Sequence, residues 1–237
     1  MSGTWKALYE TTAVGVYVPL VLPALFLATL AVRGSGGAGL EPRAAGFVRG
    51  WATVFALEAM LDPIATGLLG WPLLPFVLLG DYRVFALVLV IARPDRPRGG
   101  ALAEAVVWTL VVPLTAYGLY RMLGVVFGAQ AESVLWLIYE VAFALLALVL
   151  MTRVISPRAG GGRDDVQQYL RLVTGVVLAY YVLWAVADVL ILAGFDWGWA
   201  VRIVPNLLYY GAFVPIAYAG FLGPRSAASR TSVQAAR

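Results

Sequence analysis

Long apolar runs separated by short polar loops make up almost the whole chain. Stretches at roughly 10–32, 47–69, 72–92, 101–123, 132–153, 167–193 and 197–222 each supply the ~20 apolar residues that a helix needs to cross a bilayer. The pattern predicts an all-α integral membrane protein with seven transmembrane helices. One transmembrane domain covers 1–225, and 226–237 reads as a flexible cytoplasmic tail. The first stretch, Thr11 through Val32, is too long for a cleaved signal peptide and runs into Arg33, so it reads as a retained helix. Gly70-Trp71-Pro72 and Gly194-Phe195-Asp196-Trp197 predict tight turns between spans two and three and between spans six and seven. Gly34–Gly39 and Gly160-Gly161-Gly162 read as flexible connectors.

Charge then sets an expected orientation. With seven spans, loops one, three and five share a side with the C-terminus. That side carries Arg33, Arg43, Arg49, Arg93, Arg96, Arg98, Arg153, Arg158, Arg163, Arg171, Arg225, Arg230 and Arg237. Lys6, Arg121 and Arg202 fall on the other. The positive-inside rule therefore predicts an external N-terminus and a cytoplasmic C-terminus.

Composition supports the class and removes several chemistries. Hydrophobic residues make up 62% of the chain and charged residues 13%, and the mean hydropathy is +0.85. The net charge of +4 falls in loops and at helix ends, where it faces anionic headgroups, so the bilayer and not nucleic acid is the expected partner. With no Cys and no His, a thiolate nucleophile, a disulfide, a haem imidazole and an ordinary zinc site are excluded. No cofactor or metal is expected, and any metal chemistry would have to use carboxylates. The single lysine, Lys6, precedes the first apolar helix, which excludes a retinal Schiff base within the spans. Arginine-for-lysine usage with abundant Ala, Gly and Val points to a GC-rich bacterial genome and hence the cytoplasmic (inner) membrane.

The seven spans also suggest an internal repeat. Asp62, Gly70-Trp71, Pro75 and Gly80-Asp81 in spans two and three parallel Asp188, Gly194, Trp197 and Pro205-Asn206 in spans six and seven. A four-span offset preserves orientation, so two three-helix units joined by span four would form a 3+1+3 parallel repeat. The run Val201-Arg202-Ile203-Val204-Pro205-Asn206 resembles the Pro-Asn of the final helix in SWEET-type sugar transporters, which have seven spans, an external N-terminus and that layout. The resemblance implies that Asp81 and Asn206 face each other across a solute. The proline-glutamine signature of the family is absent from spans one and five, so the likeness is one of topology.

Ionisable residues inside the spans carry the functional expectation. Glu58 and Asp62 lie in span two, Asp81 and Arg83 in span three, Glu140 in span five, Asp188 in span six, and Arg202 with Asn206 in span seven. Each charge costs about 2.5–3.5 kcal/mol to insert, so lipid-facing placement is disfavoured. At 1.5 Å per residue they lie roughly 7–17 Å from the external ends, which predicts one shared layer. Glu58 and Asp62, four residues apart, face the same way; one must hold a proton, or a cation or an arginine must lie between them. Five acids against two arginines leave −3, favouring a cation or proton over an anionic substrate. Pro63 frees a backbone carbonyl beside these acids and predicts a kink. Tyr180, Tyr181, Trp184, Tyr209 and Tyr210 read as packing or interface residues, and Asp196 as part of an interfacial turn.

Three functional classes fit: a transporter or permease-like protein for a small polar or cationic solute, a membrane enzyme working on a lipid or isoprenoid through two carboxylates, or a sensor or accessory subunit. In the first, Glu58 and Asp62 form the proton or cation site, Asp81 and Asn206 orient the solute, and Arg83 or Arg202 exchanges partners. The second lacks an aspartate-rich diphosphate motif and a serine elbow, and the third lacks a signalling domain.

Overall fold

The computed structural model describes residues 3–33, 42–128, 131–155 and 164–222. The connectors Gly34–Gly39 and Gly160–Gly162, the tail 226–237, and Arg158, Arg163, Arg225, Arg230 and Arg237 lie outside the described residues. Among the described residues all regular structure is helical. A short α1 (Thr4–Tyr9) precedes a π-helical turn, Ala13–Tyr17, that leads into α2 (Val18–Arg33). Then come α3 (Pro42–Gly67), α4 (Leu74–Ala92), α5 (Arg98–Phe127) and α6 (Glu132–Val149) with its π-helical extension Leu150–Ile155. The chain ends in α7 (Asp164–Leu192) and α8 (Gly198–Asn206), which continues through the π-helical segment Leu207–Ala212.

Seven helices are long and apolar enough to cross a membrane: Ala13–Val32, Ala44–Gly67, Leu74–Ala92, Arg98–Phe127, Glu132–Arg153, Val166–Leu192 and Gly198–Leu222. The chain is a multi-pass membrane protein. The fourth span runs to 30 residues, past the expected 101–123: it starts at Arg98, and its apolar C-terminal end stays helical as far as Gly128, where φ is 85°. The first span, expected from about residue 10, starts at Ala13: Glu10 closes α1, and the Thr11 side-chain oxygen accepts the Val14 N–H at 3.4 Å, starting the next helix. The expected glycine turns are present. After α7, Gly194 takes φ 84°, its N–H reaches the Ile191 carbonyl at 3.0 Å and that of Phe195 reaches Leu190 at 2.9 Å, a Schellman closure requiring the left-handed residue. Gly70 takes φ 69° in the turn between α3 and α4.

Consecutive spans pack side by side around a ring that closes where the final span meets α2, and α4 also touches α7 across the middle. Each span leans on its sequence neighbours. Helix α4 occupies the centre, and its run Val84 to Leu89 is buried throughout. Helix α3 shows how sequence sorts faces: Val54, Leu57 and Leu61 point outward to lipid, whereas Phe55, Glu58, Ala59 and Asp62 point inward. The helix runs on through Pro63. At the end of the bundle away from α1, Arg93 and Arg96 both pair with Glu104, so part of the arginine excess there is neutralised within the protein.

Candidate functional site

Helical periodicity places the polar and aromatic residues of three spans on one cavity. Trp136, Tyr139 and Glu140 follow i, i+3, i+4 spacing on α6, and Tyr181 and Trp184 are three apart on α7. Arg202, Asn206, Tyr209 and Tyr210 share a face of the final span. With Val77 of α4, Leu73 before it and Tyr9 of α1, they line a cavity of about 200 Å³. It lies toward the end of the bundle where α1 and the two glycine turns sit. Trp136, Tyr139, Tyr181, Trp184, Tyr209 and Tyr210 form an unbroken series of neighbouring rings, with successive centroids 6.0, 6.4, 5.5, 5.1 and 4.8 Å apart.

Polar groups around this wall fall into three sets. Arg202 ion-pairs with Asp188 and lies 3.9 Å from Glu140 Oε1, so two carboxylates share one guanidinium; Glu140 and Arg202 line the cavity and Asp188 lies behind it. Glu140 and Asp188 also lie within hydrogen-bonding reach of each other, so the two acids and Arg202 form one connected group. Asn206 accepts the Trp184 indole N–H at 2.8 Å and donates to the Tyr9 hydroxyl at 3.0 Å, tying α1, α7 and α8 together at the cavity edge.

Asp81 forms the second set. It is fully buried on α4 and accepts hydrogen bonds from the Tyr139 and Tyr181 hydroxyls. Asp81 and Asn206 do not face each other across the cavity: Asn206 lines it, while Asp81 sits behind the two tyrosines. The central position of α4 explains this, because its polar residues are covered by α6 and α7 and reach the cavity only through the rings.

The third set surrounds Arg83. Its Nη1 lies 3.3 Å from Glu58 Oε2, its Nη2 donates to the Tyr209 carbonyl at 2.7 Å, and its guanidinium carbon sits 4.1 Å from the Tyr209 ring centroid and 5.1 Å from that of Phe213. The π-helical segment Leu207–Ala212 sets this carbonyl and the ring beside it against α4. Gly80 is required here, since a β-carbon would collide with the Tyr209 hydroxyl. Of the three arrangements open to Glu58 and Asp62, an arginine serves Glu58 alone. Asp62 Oδ1 accepts from Thr66, one turn along its own helix, at 3.3 Å, and the Tyr210 side chain of the final span is a second hydrogen-bond partner of the Asp62 carboxyl group.

The structure therefore brings the eight candidate residues into neighbouring groups, with Glu140, Arg202 and Asn206 on the cavity and Glu58, Asp62, Asp81, Arg83 and Asp188 behind it. Tyr9, Trp136 and Tyr139 join them. Their signal was the i, i+3, i+4 stripe ending on Glu140, and for Tyr9 there was none. Of the five aromatics read as packing residues, Tyr181, Trp184, Tyr209 and Tyr210 line the cavity and Tyr180 fills the core. Asp196 accepts the Trp5 and Lys6 backbone N–H groups at 2.9 and 3.1 Å, capping α1 from the turn before α8. No protein family, curated protein or solved structure matches this chain.

Proposed function

We propose that this multi-pass protein is a permease-like transporter of the bacterial cytoplasmic membrane that takes a small polar or cationic solute into the aromatic-walled cavity. The observation that carries this reading is a cavity walled by spans three, five, six and seven that presents Glu140, Arg202 and Asn206 together. Polar groups held there at a cost of about 2.5–3.5 kcal/mol each are retained where they meet a substrate or one another. The orientation expected from the arginines puts the cavity toward the external face, with α1 across its rim. Glu140 and Asn206 contact the solute, Asp81 positions Tyr139 and Tyr181, and Arg202 exchanges between its two carboxylates as the solute enters. Glu58, Asp62 and Arg83 hold α3, α4 and the final span in register behind it. A lipid-directed acid–base enzyme needs two carboxylates at the reacting bond, and Glu140 is the one acid among the described residues that lines the cavity.

Counterflow in proteoliposomes tests the proposal. The expected result is saturable exchange of at least one small cationic or polar solute, lost in Asn206→Ala protein that keeps its thermal stability. Saturable binding without flux across a broad solute panel would point to a sensor.

A further inference from the structure

The chemistry of the cavity wall narrows the solute class. We infer that the site accepts a small organic ammonium ion, caged by the aromatic arc and neutralised by Glu140, an inference that rests on the solute-binding reading above. Ammonium groups are attracted to ring faces, Trp most strongly, and two of the six rings in the arc are Trp136 and Trp184. Arg83, which does not line the cavity, already stacks on Tyr209, so one ring of the arc holds a cation as built, and both indoles line the cavity beside it.

Charge selects in the same direction. Glu140, Asp188 and Arg202 sum to −1 when both acids are ionised, and Arg202 is already engaged by Asp188. Glu140 lines the cavity and shares its one guanidinium with Asp188, so an entering cation meets an acid that Arg202 only partly compensates. An anion would have to displace Asp188 from the arginine and approach Glu140. The volume of about 200 Å³ falls below the roughly 300–1,000 Å³ of pockets for drug-sized ligands and limits the guest to a few carbon atoms around its charge.

Calorimetric titration of the purified full-length protein in detergent tests this with tetramethylammonium, neutral tert-butanol, acetate and glycine betaine. Tetramethylammonium is expected to bind at one site, with tert-butanol and acetate giving no saturable heat. Glu140→Gln should weaken it by about tenfold or more. Trp136→Leu, at the rim and outside the ion-pair network, should also weaken it, and keeps the test decisive where Glu140→Gln fails to fold. Equal binding of tert-butanol or acetate would overturn the ammonium assignment while leaving a solute site. Tighter binding of betaine than of tetramethylammonium would replace it with a zwitterion site using Arg202. Failure of all four probes to bind would remove this inference, and absence of any solute exchange in the counterflow panel would separately remove the permease reading.

Discussion

The guanidinium of Arg83 bonds to the backbone carbonyl of Tyr209 at 2.7 Å and lies 4.1 Å from the ring of the same residue. One arginine on the central helix thus holds the final span by its backbone and by its side chain, while its other nitrogen holds Glu58 on α3. Three helices meet at a single side chain.

Removing that side chain leaves Glu58 buried without its counterion. Arg83→Met is expected to destabilise the protein by about 3–5 kcal/mol, since a lone buried charge is costlier than the pair. Adding Glu58→Gln should recover a substantial part of the loss. Thermal melts in detergent of the two single variants and the double variant check this; additive effects would show that the pair is not coupled.

Glu58 and Asp62 should behave differently despite their shared helix face. Glu58→Gln weakens the Arg83 pair and is expected to lower stability measurably. Asp62→Asn keeps an acceptor for Thr66 and breaks no inter-helix ion pair, so its melting temperature should stay close to wild type. The same melts decide it, and a larger loss for Asp62→Asn would contradict the assignment of roles.

Gly80→Ala drives a methyl group into the Tyr209 hydroxyl. Overpacking of this kind costs about 1–3 kcal/mol. Tyr209→Phe removes the obstructing oxygen, so the double variant should be more stable than Gly80→Ala alone, as read by chemical denaturation. A double variant less stable than Gly80→Ala would place the clash elsewhere.

Asp196→Ala removes the acceptor for two backbone N–H groups at the start of α1. The expected cost is about 1 kcal/mol, confined to α1. Hydrogen exchange should accelerate across α1 and leave α4 unchanged; protection lost throughout would mean that the cap supports the whole bundle.

Orientation is open to direct labelling because the chain has no cysteine. An impermeant thiol reagent applied to intact cells should modify a cysteine placed at Glu132 and spare one placed at Asp95. The reverse pattern would invert the proposed topology.

The spans were legible because lipid imposes a simple rule: about 20 apolar residues and no open backbone. The inward placement of Glu58 and Asp62 follows from the same solvent, since Val54, Leu57 and Leu61 occupy the opposite side of α3. Partnerships were not legible. Whether Asp81 meets Asn206 or two tyrosines depends on which helix is central, and single-span hydropathy does not encode neighbour order. Tyr9 and Asp196 were hidden for another reason: their roles arise from contacts about 190 residues apart, Tyr9 with Asn206 and Asp196 with the start of α1. The aromatic stripe was visible, but packing and ligand contact use the same spacing, and the cavity distinguishes them.

Two of the buried ion pairs join helices that follow one another along the chain: Glu58 on α3 with Arg83 on α4, and Asp188 on α7 with Arg202 on α8. Each of these two helical hairpins therefore carries a counterion for one of its own buried acids. During biosynthesis the ribosome delivers both members of a pair within one hairpin, so the acid and the arginine can enter the hydrocarbon together, without waiting for a distant span. For these two pairs adjacency makes charge compensation a local event, whereas Glu140 on α6 meets Arg202 only when the last-made span closes the ring.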